Sequence, residues 1–374
     1  MMIGPYWAGH QPLEDGLTDQ RQASTDAATP FAKPAYTVIE GSGAADSLSG
    51  SEAPDHIFGF AGDDVLSGLG GTDWLEGGSG DDILAGGHGK DILDNGEGID
   101  TASFAAAEQA QMIDLARGRA GGLGSIYVDR LISVEKVIGS AFGDAITGGV
   151  GGETLSGGAG DDLLNGGAGD DLLDGGEGLD TASYADATGG VTVDLRILLA
   201  SGPAGTDALV SIENVVGSGF ADILSGFQGA NSLSGGDGAD TLNGLGGDDI
   251  LDGGAGDDRI FSGSGTDLLT GGGGVDTFLF TGLGFSTTAA RDRITDLTGK
   301  DVIDLAGIDA DSLTAGDQAF HQVAAFSGMA GELVLTYDAS LVQTRLTADV
   351  NGDGLADFDL LVNGKHLNSA GWIL

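Results

Sequence analysis

From Gly41 onward an apolar residue returns at every ninth position, with glycine, aspartate and small polar residues between. Three stretches keep this period without a break: 41–103, 139–183 and 217–279, nineteen nonapeptides in all. The eighth place of the nine is always apolar, as at Leu66, Leu75, Leu84, Leu164, Leu173, Leu251 and Leu269, with Ala102, Ala182 and Phe278 closing the blocks. A period of nine fits neither a helix nor a simple strand. Glycine at the first, second and fourth places argues against helix at about 1 kcal/mol per position, and it permits tight turns with positive φ. The triplet around the eighth place predicts a short strand with one side chain pointing inward. Two nonapeptides then complete one coil of a parallel roll, so the expected fold is all-β, a solenoid with loops stacked along both edges.

The sixth place is the second constant. It is Asp in seventeen of the nineteen repeats: Asp46, Asp55, Asp64, Asp73, Asp82, Asp91, Asp100, Asp144, Asp162, Asp171, Asp180, Asp222, Asp240, Asp249, Asp258, Asp267 and Asp276. Glu153 and Asn231 are the exceptions. Coils stacked about 4.8 Å apart place these carboxylates within repulsive range of one another, on the order of 1 kcal/mol per pair in water and several-fold more near a protein surface. A hard divalent cation removes that cost, and carboxylate and carbonyl oxygens are the donors that Ca²⁺ prefers. Mg²⁺ keeps its waters and demands octahedral geometry. Zinc asks for clustered Cys or His, whereas His56 and His88 fall at different places of their repeats. A metal-free roll is not expected to hold together.

The consensus GGxGxDxUx, repeated nineteen times in register, resembles that of the RTX, or haemolysin-type, calcium-binding family. The resemblance implies a β-roll with each ion between loops of consecutive coils, held by the sixth-place Asp and loop carbonyls. With the first and last repeats of each block incomplete, it implies roughly thirteen ions.

Composition agrees. There are 72 glycines and no cysteine, and 58 acidic against 14 basic residues leave a net charge of −44. Such a charge excludes the cationic footprint of a nucleic-acid binder and opposes docking on an anionic membrane. No run reaches the roughly 18 apolar residues of a membrane-spanning helix, and the N-terminus lacks the basic and apolar regions of a Sec-type leader. Residues 1–40 show no period and are expected to be a disordered lead-in, too short for a catalytic domain.

Two spacers, 104–138 and 184–216, resemble each other: Asp114 corresponds to Asp194 and Ser133 to Ser211. Alternation in VTVDL and SIENVV predicts strands, read as longer coils that continue or cap the solenoid. Asp114 and Glu135 could be drawn as a catalytic carboxylate pair, but solvated positions explain them better. In 280–374 glycine thins out and the pattern alternates. DTFLF at 276–280, DRITDL at 292–297, DVIDL at 301–305 and DVNGDGLADFDLLV resemble the C-terminal domain of serralysin-type proteins. That resemblance implies an uncleaved signal for type I secretion, with which the apolar tail NSAGWIL is consistent. Asp349, Asn351, Asp353 and Asp357 follow the opening of an EF-hand loop, yet Leu360 stands where the bidentate Glu belongs. A turn capped by its own Asp and Asn is the other reading.

No HExxH, GxSxG or GxxxxGK[ST] occurs, and the absence of cysteine removes a thiol nucleophile. The expected protein is a non-enzymatic calcium-binding repeat protein, exported unfolded from a Gram-negative bacterium by type I machinery and folded by external Ca²⁺. Its outside role would be structural, adhesive or matrix-associated, with a cell-surface or polysaccharide partner. An unfamiliar enzyme, the export part of a split enzyme and a glycan-binding accessory module are the alternatives.

Overall fold

A computed structural model describes residues 36–124, 128–314 and 318–374. The expected lead-in falls mostly on residues 1–35, outside the described residues. Among the described residues there is no α-helix; the architecture is all-β. Successive repeats alternate between two sheets, of 19 and 15 strands. Each strand therefore pairs in parallel with the one 18 residues on: Leu66 faces Leu84 in one sheet and Leu75 faces Leu93 in the other. The eighth-place side chains meet between the sheets and are completely buried, Leu75, Leu84, Leu155, Leu164, Leu173 and Leu251 among them. One aliphatic side chain per nine residues thus makes a continuous core, as the periodicity predicts.

Each spacer adds one antiparallel meander without leaving the roll. In the first, Gln111–Asp114, Arg119–Gly122 and Asp129–Ile132 insert between Ile92–Glu97 and Ala145–Thr147 of the larger sheet. In the second, Thr192–Asp194, Leu199–Gly202 and Gly205–Val210 insert between Leu172–Glu177 and Ile223–Ser225 of the smaller sheet. The duplicated spacers lie in opposite sheets because the five repeats between them are an odd number. Block one ends in the smaller sheet at Thr101–Ser103 and block two in the larger at Thr181–Ser183, and each meander follows in the sheet across the core. Both bury three inward residues, Ile113, Ala120 and Leu131 or Val193, Ala200 and Leu209.

The sheets run on past the last repeat. Arg293–Ile294 pairs with Leu268–Gly273 on one side and Phe358–Asn363 on the other. Phe358–Asn363 in turn joins Gln343–Asp349 and Glu332–Asp338 in an antiparallel meander. In the smaller sheet Val302–Asp304 follows Thr277–Leu279, and the C-terminal tail extends its edge, with Ile373 N donating to Ile303 O and Leu305 N to Ile373 O. The apolar tail is therefore part of the folded edge, with Trp372 and Leu374 packed against the core.

Candidate metal centre

The sixth-place side chains form two ladders, one along each edge. The backbone N–H of each Asp donates to Oδ1 of the Asp one coil later: Asp64 to Asp82 and Asp82 to Asp100 at 2.8 Å, Asp55 to Asp73 at 2.9 Å. The fate of the other oxygen divides the repeats into two kinds. In thirteen, at Asp64, Asp73, Asp82, Asp91, Asp100, Asp162, Asp171, Asp180, Asp240, Asp249, Asp258, Asp267 and Asp276, Oδ2 is buried and has no hydrogen-bond partner. A buried unpaired carboxylate oxygen is expensive, and thirteen in register are a demand for cations.

The backbone at the second place makes the difference. In all thirteen open loops it has positive φ, by glycine at ten and by Phe60, Leu69 and Leu245 at the rest. In the six other loops the second residue is not left-handed. There Ser42, Ser51, Ser140 and Ser218 each donate their amide to the carboxylate four residues on, at 2.5–2.6 Å, and their Oγ as well. Gly149 N donates to Glu153 and Phe227 N to Asn231 Oδ1. The six are the first two loops of each block, one per edge, so every block opens with one full coil closed by its own hydrogen bonds. Asp55 keeps Oδ1 unpartnered, because Thr37 N goes instead to Pro54 O.

In eleven of the thirteen open loops a first-place glycine creates the space beside the open oxygen; Asn95 and Ser262 stand there in the other two. A Cβ added at Gly253 would stand 2.5 Å from Asp258 Oδ2 and 2.7 Å from the carbonyl oxygen of Gly271, one coil later. Carboxylate and carbonyl oxygens thus converge on a cavity that no side chain fills, the donor set of a hard cation. Among the described residues no three Asp, Glu, His or Cys side chains cluster as a metal site; the backbone supplies the remaining donors. Without cations these carboxyls hold protons tightly. Burial, opposed by the amide from the preceding coil and aided by neighbouring carboxylates, raises Asp73, Asp162 and Asp171 to about 7 and Asp249 to about 8.

The ladders contain six acids that the nonapeptide register passes over. Asp91 N donates to Asp129 Oδ1, Asp100 N to Glu135 Oε2, Asp171 N to Asp207 Oδ1 and Asp180 N to Glu213 Oε2, carrying both edges across the spacers. Asp292 and Asp301 receive Asp267 N and Asp276 N in the same way. Their mark in the sequence is an acid two residues before an inward apolar side chain, as in Asp129-Arg-Leu, Glu213-Asn-Val or Asp292-Arg-Ile; irregular spacing hides it. A second, exposed ladder, which the sixth-place pattern does not predict, runs at the fifth place: Asp63 Oδ1 accepts Asp81 N and Asp248 Oδ1 accepts Thr266 N.

Other candidates are engaged elsewhere. Asp114 pairs with Arg117 across a hairpin turn, while Glu135 sits in the ladder, and nothing joins them as a catalytic pair. His56 stacks on Trp74 at 4.3 Å and bonds Glu76; His88 is exposed. In the 349–357 loop, Asp349 accepts the amides of Asn351, Gly352 and Gly354, Asn351 Oδ1 that of Asp353, Asp353 Oδ1 that of Leu355 and Asp357 Oδ2 that of Val350. These bonds close the loop as a capped turn.

Residues 92–374 match the family described as peptidase M10 serralysin C terminal. The chain belongs to that family. Residues 40–75 and 67–102 match the RTX calcium-binding nonapeptide repeat, so the chain is an RTX protein whose repeats bind calcium in multiple copies. Two curated relatives are similar over part of it. Metalloprotease AprA of Pseudomonas entomophila is 42% identical over 90 residues, 24% of this chain and 18% of that protein. Metallopeptidase AprA of Pseudomonas marginalis is 40% identical over 89 residues, 24% of this chain and 17% of that protein. The match thus spans less than a fifth of either relative. The AlgE6R2 subunit of the Azotobacter vinelandii mannuronan C5-epimerase, a solved structure, is 27% identical with a TM-score of 0.24, covering 43% of this chain and 92% of that one. What matches proteases is the repeat and C-terminal part of this chain.

Proposed function

We propose that this is a secreted calcium-binding protein without catalysis of its own, which leaves a Gram-negative cell unfolded by type I export and folds on external calcium into a structural, adhesive or matrix-associated roll. The thirteen buried carboxylate oxygens without partners carry the reading. The thirteen open loops, joined at the coil above by Asp129, Glu135, Asp207, Glu213, Asp292 and Asp301, would hold the ions with loop carbonyls; bound calcium would supply the positive charge that these oxygens coordinate. Asp46, Asp55, Asp144 and Asp222 fall outside this ligand set, since serine amides already occupy the oxygen that an ion would take. The number of open loops equals the number of ions expected from the sequence, but their places differ: it is the first two loops of a block that are closed, and the last that is open. The 349–357 loop takes no ion in this reading.

The deciding experiment is a calcium titration of the chelator-stripped chain, read by far-ultraviolet circular dichroism, with magnesium as control. A cooperative coil-to-β transition in calcium alone is expected. A chain already folded in chelator would overturn the folding step. Hydrolase activity of the purified chain would overturn the non-enzymatic reading.

A further inference from the structure

Of the nineteen first places, seventeen are glycine; Asn95 and Ser262 are the others. Ser262 is fully buried, and its Oγ has no hydrogen-bond partner. It lies beside Asp292, outside good hydrogen-bond geometry, and the carboxylates of Asp267 and Asp292 adjoin each other there. Asp292 is fully buried and Asp267 nearly so, each with an unpartnered Oδ2. Asp267 N donates to Asp292 Oδ1 at 3.0 Å, which fixes the pair in register. An ordinary open loop faces a carbonyl across a bare glycine. Here a hydroxyl enters that space, and Asp292, 25 residues on, takes the ladder place of the next repeat's sixth-place Asp.

We propose that Ser262, Asp267 and Asp292 form a divalent-cation site at the junction of the last repeats with the C-terminal segment, tighter than the loops of the roll and filled first. The inference rests on the reading that open loops take calcium. Two adjoining buried carboxylates repel unless a cation or a proton lies between them, and three unpartnered oxygens suit a hard cation. The carboxylate pair continues the ladder of the other open loops; what this site adds is the Ser262 hydroxyl and a rigid frame, and site rigidity raises calcium affinity. The frame is rigid: Asp292 N donates to Ser286 Oγ at 3.0 Å, Ser286 Oγ to Asp359 O at 2.6 Å, and Leu361 N to Asp292 O at 3.0 Å. Asp359, fully buried, is clamped by Arg345 through two hydrogen bonds and by Arg291 at 2.8 Å. An ion at this junction ties the last coil of the larger sheet to the C-terminal meander, so calcium loading starts from that end.

Calorimetric titration of the chelator-stripped full chain with calcium chloride tests this on the wild type, Asp292→Asn and Ser262→Ala. The wild type is expected to show one ion in a tightest class. Asp292→Asn should remove that class and lower the total by one ion; Ser262→Ala should keep the total and weaken the class about tenfold or more. A tightest class unchanged in both variants overturns the site while the remaining ions still uphold the calcium roll; a wild type that binds no calcium overturns the roll itself. If the two carboxyls share a proton instead, Asp292→Asn leaves the ion count intact and raises stability in chelator, which also overturns the site. Should Asp292→Asn fail to fold, Ser262→Ala, which keeps both carboxylates, decides.

Discussion

The opening coil of each block and the coils that follow share a period, a core position and a polar, mostly acidic sixth place, yet they solve the same electrostatic problem in opposite ways. At Ser140 and Ser218 the second residue turns its amide onto the carboxylate and adds a hydroxyl. At Gly158 or Gly254 the second residue is left-handed, and the carboxylate oxygen stays bare. The first solution is made within the chain, apart from Asp55 Oδ1; the second leaves an oxygen that, in the function proposed above, a calcium ion takes. On that reading, blocks begin on a coil that calcium does not have to build, and that coil would give the next loops a template on each edge.

The largest effect should come from the open loops. Replacing Asp82, Asp91, Asp162, Asp171, Asp249 and Asp258 together with Ala should abolish several ions. At hundredfold excess over Kd each ion contributes about 2.7 kcal/mol, so the loss is on the order of 10 kcal/mol, read as calcium stoichiometry and thermal midpoint. The same change at Asp46, Asp55, Asp144 and Asp222 should leave the stoichiometry intact; ions lost there would break the comparison.

Acid should separate the two states next. With Asp73, Asp162 and Asp171 raised to about 7 and Asp249 to about 8 by burial, the calcium-free roll binds more protons than the unfolded chain between about pH 4 and 8. Its stability then falls as pH rises through that window. In chelator, lowering the pH from about 8 toward about 5 should increase β-structure by circular dichroism, whereas with calcium the same change should release ions by proton competition. β-structure that decreases on acidification in chelator would contradict the burial of these groups.

Smaller effects address the second place directly. Ser140→Ala and Ser218→Ala should each cost about 1 kcal/mol, from the lost hydroxyl bonds, without losing an ion. Leu245→Gly should stabilise the calcium-loaded roll by about 1 kcal/mol, since a bulky residue held at φ 72° gives way to one that adopts it freely. A lower denaturation midpoint for that variant would show that the Leu245 side chain matters more than its backbone.

The roll, its inward row and the acidic edges were legible in the sequence because they depend on a strict period, and a period is a property of the chain itself. Leu75, Leu84 and Leu251 are buried where the nine-residue spacing places them. Which carboxylates are open was not legible, because Asp46 and Asp64 look alike until the φ of Ser42 and of Phe60 is known. Serine at the second place marks four of the six closed loops, yet phenylalanine occupies that place in an open loop at Phe60 and in a closed one at Phe227. Glu135, Glu213 and Asp292 lie 33–35 or 25 residues from their ladder partners, and only strand pairing brings them into line. The choice of sheet for each spacer likewise follows from the parity of the block before it. Local spacing determined the coil and its core; the stacking of one coil on the next decided which oxygens are left for the metal, because an amide or an ion can reach a carboxylate only from the neighbouring loop.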